Sequence, residues 1–427
     1  MFEANKKWDV IIIGGGIVGV CAAYYAAKQG LKPLIIERDN IGAAQSGRCL
    51  GYVRRQGRDI LELPMMIDAM DIWRNAEKEL GRSFDWKPGG NLWCAHDGKS
   101  AEKQQRWLEL AKPFNIGSRW LSGNEINDVM PGMKHRFLGA LYTPDDGMAD
   151  PVKATRAFYE AAVELGAETA LGSVVDEIVT QGGAVQGVRI GAQLLKSDLV
   201  ICAAGAASSG LLRRHGLLFP QDWVRASIMR TEPVSQTIAP GIVGGNIGLR
   251  QGRDGSLYVF HKLASYDVRL ESPRYSWWFK DFLFDDSFDI KINPFSKITR
   301  KMSLAKTSPV NDIPSSWQAP YPDHKALAKA KRDLAALLPE CQGIGIVAEW
   351  GGYLESTPDA LPLIGQVEAV EGLLVASGYS GHGFGTGPIG GKRIIELATR
   401  GQADIPEALS PGRFRSGEWL DVEWSAI

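Results

Sequence analysis

Gly14, Gly16 and Gly19 stand in G-x-G-x-x-G spacing, and Glu37 closes the same short segment. Such a pattern acts through its backbone. Gly14 permits a tight turn, Gly16 lets the main chain approach a pyrophosphate, and Gly19 lets a helix pack closely on a strand. Ile17 and Val18, between the glycines, lie where the N–H groups at a helix N-terminus meet phosphate oxygens. The Glu37 carboxylate accepts hydrogen bonds from adenosine ribose hydroxyls and repels a 2′-phosphate, so the segment predicts FAD or NAD rather than NADP. A second glycine cluster, Gly378, Gly381, Gly383, Gly385 and Gly387, lies near the other end of the chain. A glycine-rich loop that opens a helix aims N–H groups and a positive dipole end at developing negative charge, as on a reduced flavin.

The elements that must position these residues can be read along the chain. Residues 10–13 form a continuous apolar run, as in a parallel strand buried on both faces, then an Ala-rich helix spans 20–29 and a second strand 33–36. A basic loop fills 42–58, and a helical pattern covers 61–80. Residues 86–93 and 137–142 read as strands. Asp150 and Pro151 start an amphipathic helix that stops at Gly166. A hairpin pairs 174–179 with 185–190 around Gly182 and Gly183, and a buried strand at 199–202 runs into Ala203, Ala204 and Gly205. Residues 223–232 and 249–260 read as antiparallel strands, the latter with a turn signal at Asp254 and Gly255. A last strand, 372–377, leads through the second glycine cluster to a helix from Pro388 to Arg400.

Composition narrows the class. With 48 basic and 49 acidic side chains in 427 residues, no net field favours nucleic acid. No apolar signal core opens the chain and no stretch approaches the roughly 18 apolar residues of a spanning helix, so a cytoplasmic location is expected. Cys21, Cys49, Cys94, Cys202 and Cys341 are odd in number and widely spaced, which points to reduced thiols and to no metal site.

Four pieces in order, the N-terminal unit with Glu37, the loop at Ser46 to Arg48, the strand ending Ala203-Ala204-Gly205, and T-P-D-x-L-P-L-I-G at Thr357 to Gly365 with G-H-G-F-G at Gly381 to Gly385, resemble the D-amino-acid-oxidase-like family. This family of FAD-dependent amine oxidoreductases includes glycine oxidase and sarcosine oxidase. The resemblance implies an α/β fold in which a Rossmann-like FAD-binding domain (1–81, 145–220 and 342–427) is interleaved with an α+β, antiparallel-sheet substrate domain (82–144 and 221–341). It also implies that Glu37 and Arg38 hold the adenosine end and that Val175 meets the adenine edge. Ser46, Arg48, Leu50 and Gly51 would line the pyrophosphate and flavin, with Ala204 and Gly205 nearby. Gly381, His382, Gly383, Phe384, Gly385 and Thr386 would lie beside the isoalloxazine ring. Gly352 stands where related enzymes tether flavin through a cysteine, so non-covalent FAD is expected.

The implied reaction is oxidation of the C–N bond of a small amino acid, by hydride transfer to flavin N5 and imine hydrolysis. Such chemistry asks the protein mainly to orient the substrate and exclude water. An arginine fork suits the substrate carboxylate. Glycine-oxidase-like members carry that arginine before T-P-D, where this chain has Leu354 followed by Glu355. The departure favours a secondary amine, such as sarcosine or iminodiacetate, over a primary D-amino acid; a primary D-amino acid or proline-type oxidase or dehydrogenase stands as the alternative. The clamp must then come from Arg54, Arg55, Arg58, Arg230 or Arg250, each of which also reads as an ordinary solvated arginine. Arg55 and Arg250 are taken as the foremost candidates. His261 and Lys262 are candidates on the substrate side, where a lysine would assist oxygen reduction, with a satisfied histidine and a surface lysine as the plainer reading. The expected partners are the substrate and oxygen or a redox protein as acceptor. The aromatic run 275–284 reads as a core or subunit contact, with a peripheral membrane contact through residues 277–284 as the alternative. A non-catalytic FAD-stabilised subunit or assembly factor is the competing function, and a plain NAD dehydrogenase would not need the second glycine cluster.

Overall fold

The computed structural model describes residues 6–134, 137–268, 272–280, 288–292 and 320–415. A six-stranded sheet runs in the order Leu363–Gln366, Leu373–Ser377, Val200–Cys202, Val10–Ile13, Pro33–Ile36, Glu168–Ala170. Neighbours are parallel except the first pair. The strand Val10–Ile13 is buried along its whole length. Alternation of side chains across the sheet sends Val10 and Ile12 to one face and Ile11 and Ile13 to the other. The first face packs under the helices Ile17–Lys28, Leu63–Leu80, Pro151–Glu164 and Gly383–Arg400. The second is covered by a three-stranded sheet, Glu177–Gln181, Ala184–Ile190 and Gln193–Lys196, through Ile178, Val185, Val188 and Leu195. This is the mixed α/β, Rossmann-like arrangement expected from the sequence.

A larger, mainly antiparallel sheet of ten strands stands beside it. Its longest strand, Asp222–Pro233, pairs on one edge with Ile346–Ser356, from Asp222 opposite Ser356 to Thr231 opposite Ile346. Ser256–His261 and Ala264–Val268 take the other edge. The helix His324–Leu337 closes one face, placing Leu327, Ala330, Leu334 and Leu337 in a core with Leu249, Leu257 and Val259. Ile346–Ser356, numbered with the cofactor portion by the sequence boundaries, thus pairs within the large sheet and carries the chain back to the nucleotide layer.

Local chemistry accounts for most boundaries. Asp150 caps its helix by accepting the Lys153 N–H at 2.9 Å, with Pro151 in the first turn. The stretch 249–260 is a hairpin of two strands, Ile247–Gln251 and Ser256–His261, because Gly255 turns the chain at φ +84°. The last helix differs most from expectation. It begins at Gly383, five residues before Pro388, which lies inside it. Of the glycines read as loop formers, Gly378 and Gly381 precede the helix at φ +80° and +82°, whereas Gly387 serves close helix packing: a Cβ there would lie 2.8 Å from Ile17, and one on Gly391, further along the same helix, 2.7 Å from the Val18 carbonyl. That approach to the helix Ile17–Lys28 is available only without a side chain.

Of the aromatic run, Phe279 is buried and Trp278 meets Phe414 edge-on at 5.7 Å, whereas Trp277 is exposed under Lys280. Residues 281–284 lie outside the described residues. No helix among the described residues is long and apolar enough to cross a membrane.

Candidate functional site

Between the two sheets lies a cavity of about 770 Å³, within the range of cofactor and ligand sites. Its floor is the first glycine turn. Gly14 has φ +115°, and a Cβ there would sit 2.3 Å from the Ala203 carbonyl. A Cβ on Gly19 would sit 2.0 Å from the Gly14 carbonyl. Both positions therefore require glycine. The helix Ile17–Lys28 has no acidic side chain in its first turn and no side-chain cap on Gly16, while Ser46 Oγ accepts the Ile17 N–H at 2.9 Å. Glu37 accepts from the N–H of Gly15 at 2.7 Å and of Asp39 at 2.8 Å. Burial pushes its carboxyl above the ordinary value despite those two donors. An open helix N-terminus, a bare glycine turn and a fixed carboxylate fit the adenosine diphosphate part of a dinucleotide.

Most of the cofactor residues predicted from sequence line this cavity. Gly14, Gly16, Ile17, Val18, Glu37, Arg38, Ser46, Arg48, Leu50, Gly51, Val175, Ala204, Gly205, Gly381, His382, Gly383 and Phe384 are all on its wall. Gly19, Gly385 and Thr386 are not. Gly19 is spent on the strand-to-helix approach just described. The Gly385 carbonyl accepts the Trp73 indole N–H at 2.8 Å, and the Thr386 hydroxyl donates to the His382 carbonyl at 3.1 Å. Both are turned inward because the helix already starts at Gly383.

The arginines separate sharply. Arg55 and Arg250, the foremost clamp candidates, are absent from the cavity wall, as is Arg230. Arg55 donates from Nε to the buried Asp146 carboxylate at 2.9 Å. Arg250 donates from Nε to the Leu50 carbonyl and lies 3.9 Å over the Tyr258 ring. Arg230 is paired with Asp254 at 3.6 Å. Arg54 and Arg58 do line the cavity. Arg58 is buried and 3.9 Å from Glu62, which in turn lies 3.1 Å from His382. Burial and then the charge of Arg54 pull the Arg58 guanidinium down to about 9, so it remains cationic at neutral pH. Arg54 donates to the Gln56 carbonyl at 2.5 Å and has no carboxylate within ion-pair distance among the described residues.

His261 and Lys262 also border the cavity. His261 accepts the Leu263 N–H on Nδ1 at 2.9 Å and meets Asp333 through Nε2 at 3.3 Å. Both its nitrogens are thus engaged within the protein, and burial pulls its pKa down. Lys262 is exposed at the rim.

Two further wall residues, Glu355 and Tyr379, and one buried residue behind the wall, Glu62, carried little or no local signal. Glu355 sits on the wall with its carboxylate on the Gln45 amide, and burial pushes its pKa up. The Tyr379 hydroxyl is buried without a hydrogen-bond partner among the described residues. Glu62 belongs to the helical run and gains its meaning only by facing His382 and Arg58.

The family of FAD dependent oxidoreductases (DAO) matches residues 9–397, and the chain belongs to it. It is an FAD enzyme, and its chemistry is oxidation of an amine or amino acid. The chain is similar to sarcosine oxidase subunit beta of Rhodobacter capsulatus, at 22% identity over 433 residues covering 99% of this chain and 92% of the relative. Its fold is similar to that of L-amino acid deaminase from Proteus myxofaciens, with TM-score 0.87, 22% identity and coverage of 97% and 95%. It is also similar to that of L-proline dehydrogenase from P. horikoshii, with TM-score 0.80, 24% identity and coverage of 98% and 100%.

Proposed function

We propose that the protein oxidises the C–N bond of a small amino acid whose nitrogen is a secondary amine, N-methyl or N-carboxymethyl. The observation that carries this reading is Arg54: a half-buried guanidinium on the cavity wall, with no carboxylate partner among the described residues. A cation so placed is completed by an anionic substrate, and its planar fork grips a carboxylate at two points. Arg58, partly neutralised by Glu62, adds a second donor. Sarcosine, named in one of the similar proteins, is an N-methyl amino acid, which supports that class.

In this reading the turn at Gly14 to Gly19, Glu37 and Val175 hold the adenosine diphosphate portion of FAD, and Gly381 to Phe384 lie along its ring system. The division into an interleaved cofactor part (1–81, 145–220, 342–427) and substrate part (82–144, 221–341) is proposed with it. FAD, held without a covalent bond, supplies the acceptor for the hydride. The protein's share is to fix the carboxylate through Arg54, to surround the reacting carbon with Trp93 and Phe260 from the large sheet, and to exclude water until the imine leaves.

The test is anaerobic mixing of the FAD-loaded protein with sarcosine, iminodiacetate, proline, glycine and D- and L-amino acids. Bleaching of the flavin by a secondary amine is expected, with air or a dye restoring the colour. Bleaching by primary amino acids alone would overturn the proposed class, and no bleaching by any of them would favour a partner-binding role for the fold.

A further inference from the structure

Three arginines fall within residues 54–58, yet only two reach the cavity, and the reason lies in one buried carboxylate. Asp146 is wholly inaccessible. Its Oδ1 accepts from the Arg55 backbone N–H at 3.1 Å and from Arg55 Nε at 2.9 Å, and its Oδ2 accepts from the Gln56 N–H at 3.1 Å. Gln56 continues the attachment. Its amide donates to the carbonyls of Asn91 at 3.0 Å and Leu141 at 2.9 Å, and accepts from the Asn91 amide at 2.6 Å. Asp146 is itself fixed, since its carbonyl accepts the Gly90 N–H at 2.8 Å.

Residues 54–58 thus form an arch pinned to two adjacent inner strands of the large sheet, Asn91–Ala95 and Gly139–Thr143. Within it, Arg54 reaches back to the Gln56 carbonyl, and Arg58 Nε donates to the Arg54 carbonyl at 3.1 Å. Gly57 turns the arch at φ +66°, and a Cβ there would meet both Arg54 and Trp93 at 3.0 Å. Burial pushes the Asp146 carboxyl up, and the charge of Arg55 opposes that shift.

We propose that Asp146 is a positioning residue for substrate binding: it pins the arch and occupies Arg55, so that Arg54, with Arg58 as the second donor, is presented to the substrate carboxylate while Arg55 is not. The proposal rests on the reading of Arg54 given above. Asp146 lies off the cavity wall, and it acts through the backbone of residues 55 and 56 and through its charge near Arg54. Its effect belongs to KM and not to kcat, because a loosened arch weakens the hold on the carboxylate while the reacting carbon still meets the same cofactor.

The experiment compares Arg54→Met, Asp146→Asn and the double variant, each loaded with FAD, with the best substrate of the bleaching panel. Arg54→Met sets the scale, at a rise in KM of about a hundredfold for a lost charge-assisted contact. Asp146→Asn is expected to raise KM about tenfold with kcat within about threefold, and with FAD affinity unchanged. Adding Asp146→Asn to Arg54→Met should move KM by less than about twofold, the mark of action through Arg54. If Arg54→Met leaves KM unchanged, the reading of Arg54 fails and this inference with it. If Arg54→Met raises KM while Asp146→Asn does not, or lowers kcat and FAD affinity together, only the present inference falls. A further tenfold in the double variant overturns it as well. Should Asp146→Asn not accumulate folded, Asp146→Glu, which keeps the charge but shifts it by one methylene, must raise KM at least about threefold, and an unchanged KM counts against the proposal.

Discussion

The two ends of the cavity are built on opposite principles. At the adenosine end everything needed lies within about thirty consecutive residues: a strand, three glycines, a helix and a carboxylate, each acting through backbone geometry that its neighbours in sequence dictate. At the proposed substrate end the reading turns on which arginine reaches the cavity wall uncommitted. Asp146, 91 residues from Arg55, holds that arginine, and the Leu50 carbonyl, 200 residues from Arg250, holds the other. Backbone sites are local properties, whereas an available charge is a property of the whole fold.

The comparison can be broken most severely at the backbone end. Gly19→Ala places a methyl 2.0 Å from the Gly14 carbonyl, and is expected to cost about 3 kcal/mol or more and to abolish FAD retention. A normally yellow variant with unchanged thermal unfolding would refute the tight strand-to-helix approach. Next in size is Gly391→Ala, which brings a methyl within 2.7 Å of the Ala22 nitrogen. About 1–3 kcal/mol of destabilisation in thermal unfolding is expected, because the two glycine-bearing helices must separate. A neutral result would refute the close approach of the two helices at Gly391.

At the charged end, Arg250→Met should leave KM within about threefold while removing about 1–2 kcal/mol of stability, from its stacking on Tyr258 and its hydrogen bond to Leu50. A KM shift as large as that for Arg54→Met would restore Arg250 as the clamp. The smallest effect concerns Glu77, near the end of the helix Leu63–Leu80. Burial pushes this carboxyl up, but the N–H groups of Trp86 and Phe84 and the Ser83 hydroxyl outweigh burial and hold it below its ordinary value. A lowered carboxylate stabilises the fold above its unfolded-state pKa, and the contribution is lost as pH falls through the folded value. Glu77→Gln should therefore be less stable than the parent at neutral pH by up to about 1 kcal/mol, and the gap should close in acid. A gap that persists there would show that the contacts do not depend on the charge.

The same contrast explains what was legible in the sequence. The central strand, the glycine turn, the Asp150 and Pro151 helix start and the Gly182 and Gly183 hairpin follow from period and turn chemistry alone, so they were readable. Pro388 misled, because a proline next to glycines marks a helix start by local rules. Here the glycines permit contact with a helix almost four hundred residues earlier, and the contact outweighs the local cost of the proline. His261 was visible as a residue but not as a satisfied one, since its partner Asp333 comes from another element. Arg54 and Arg58 could be nominated from sequence and could not be ranked, because ranking needs the positions of Asp146 and Glu62.

The central claim is that Arg54, and neither Arg55 nor Arg250, receives the substrate carboxylate. Its most direct test is the dissociation constant of an inert carboxylate, such as acetate, read as a perturbation of the flavin spectrum in the FAD-loaded parent and in Arg54→Met. A weakening of about tenfold to a hundredfold in the variant, with FAD content unchanged, is expected. Equal affinity in the two proteins would contradict the account.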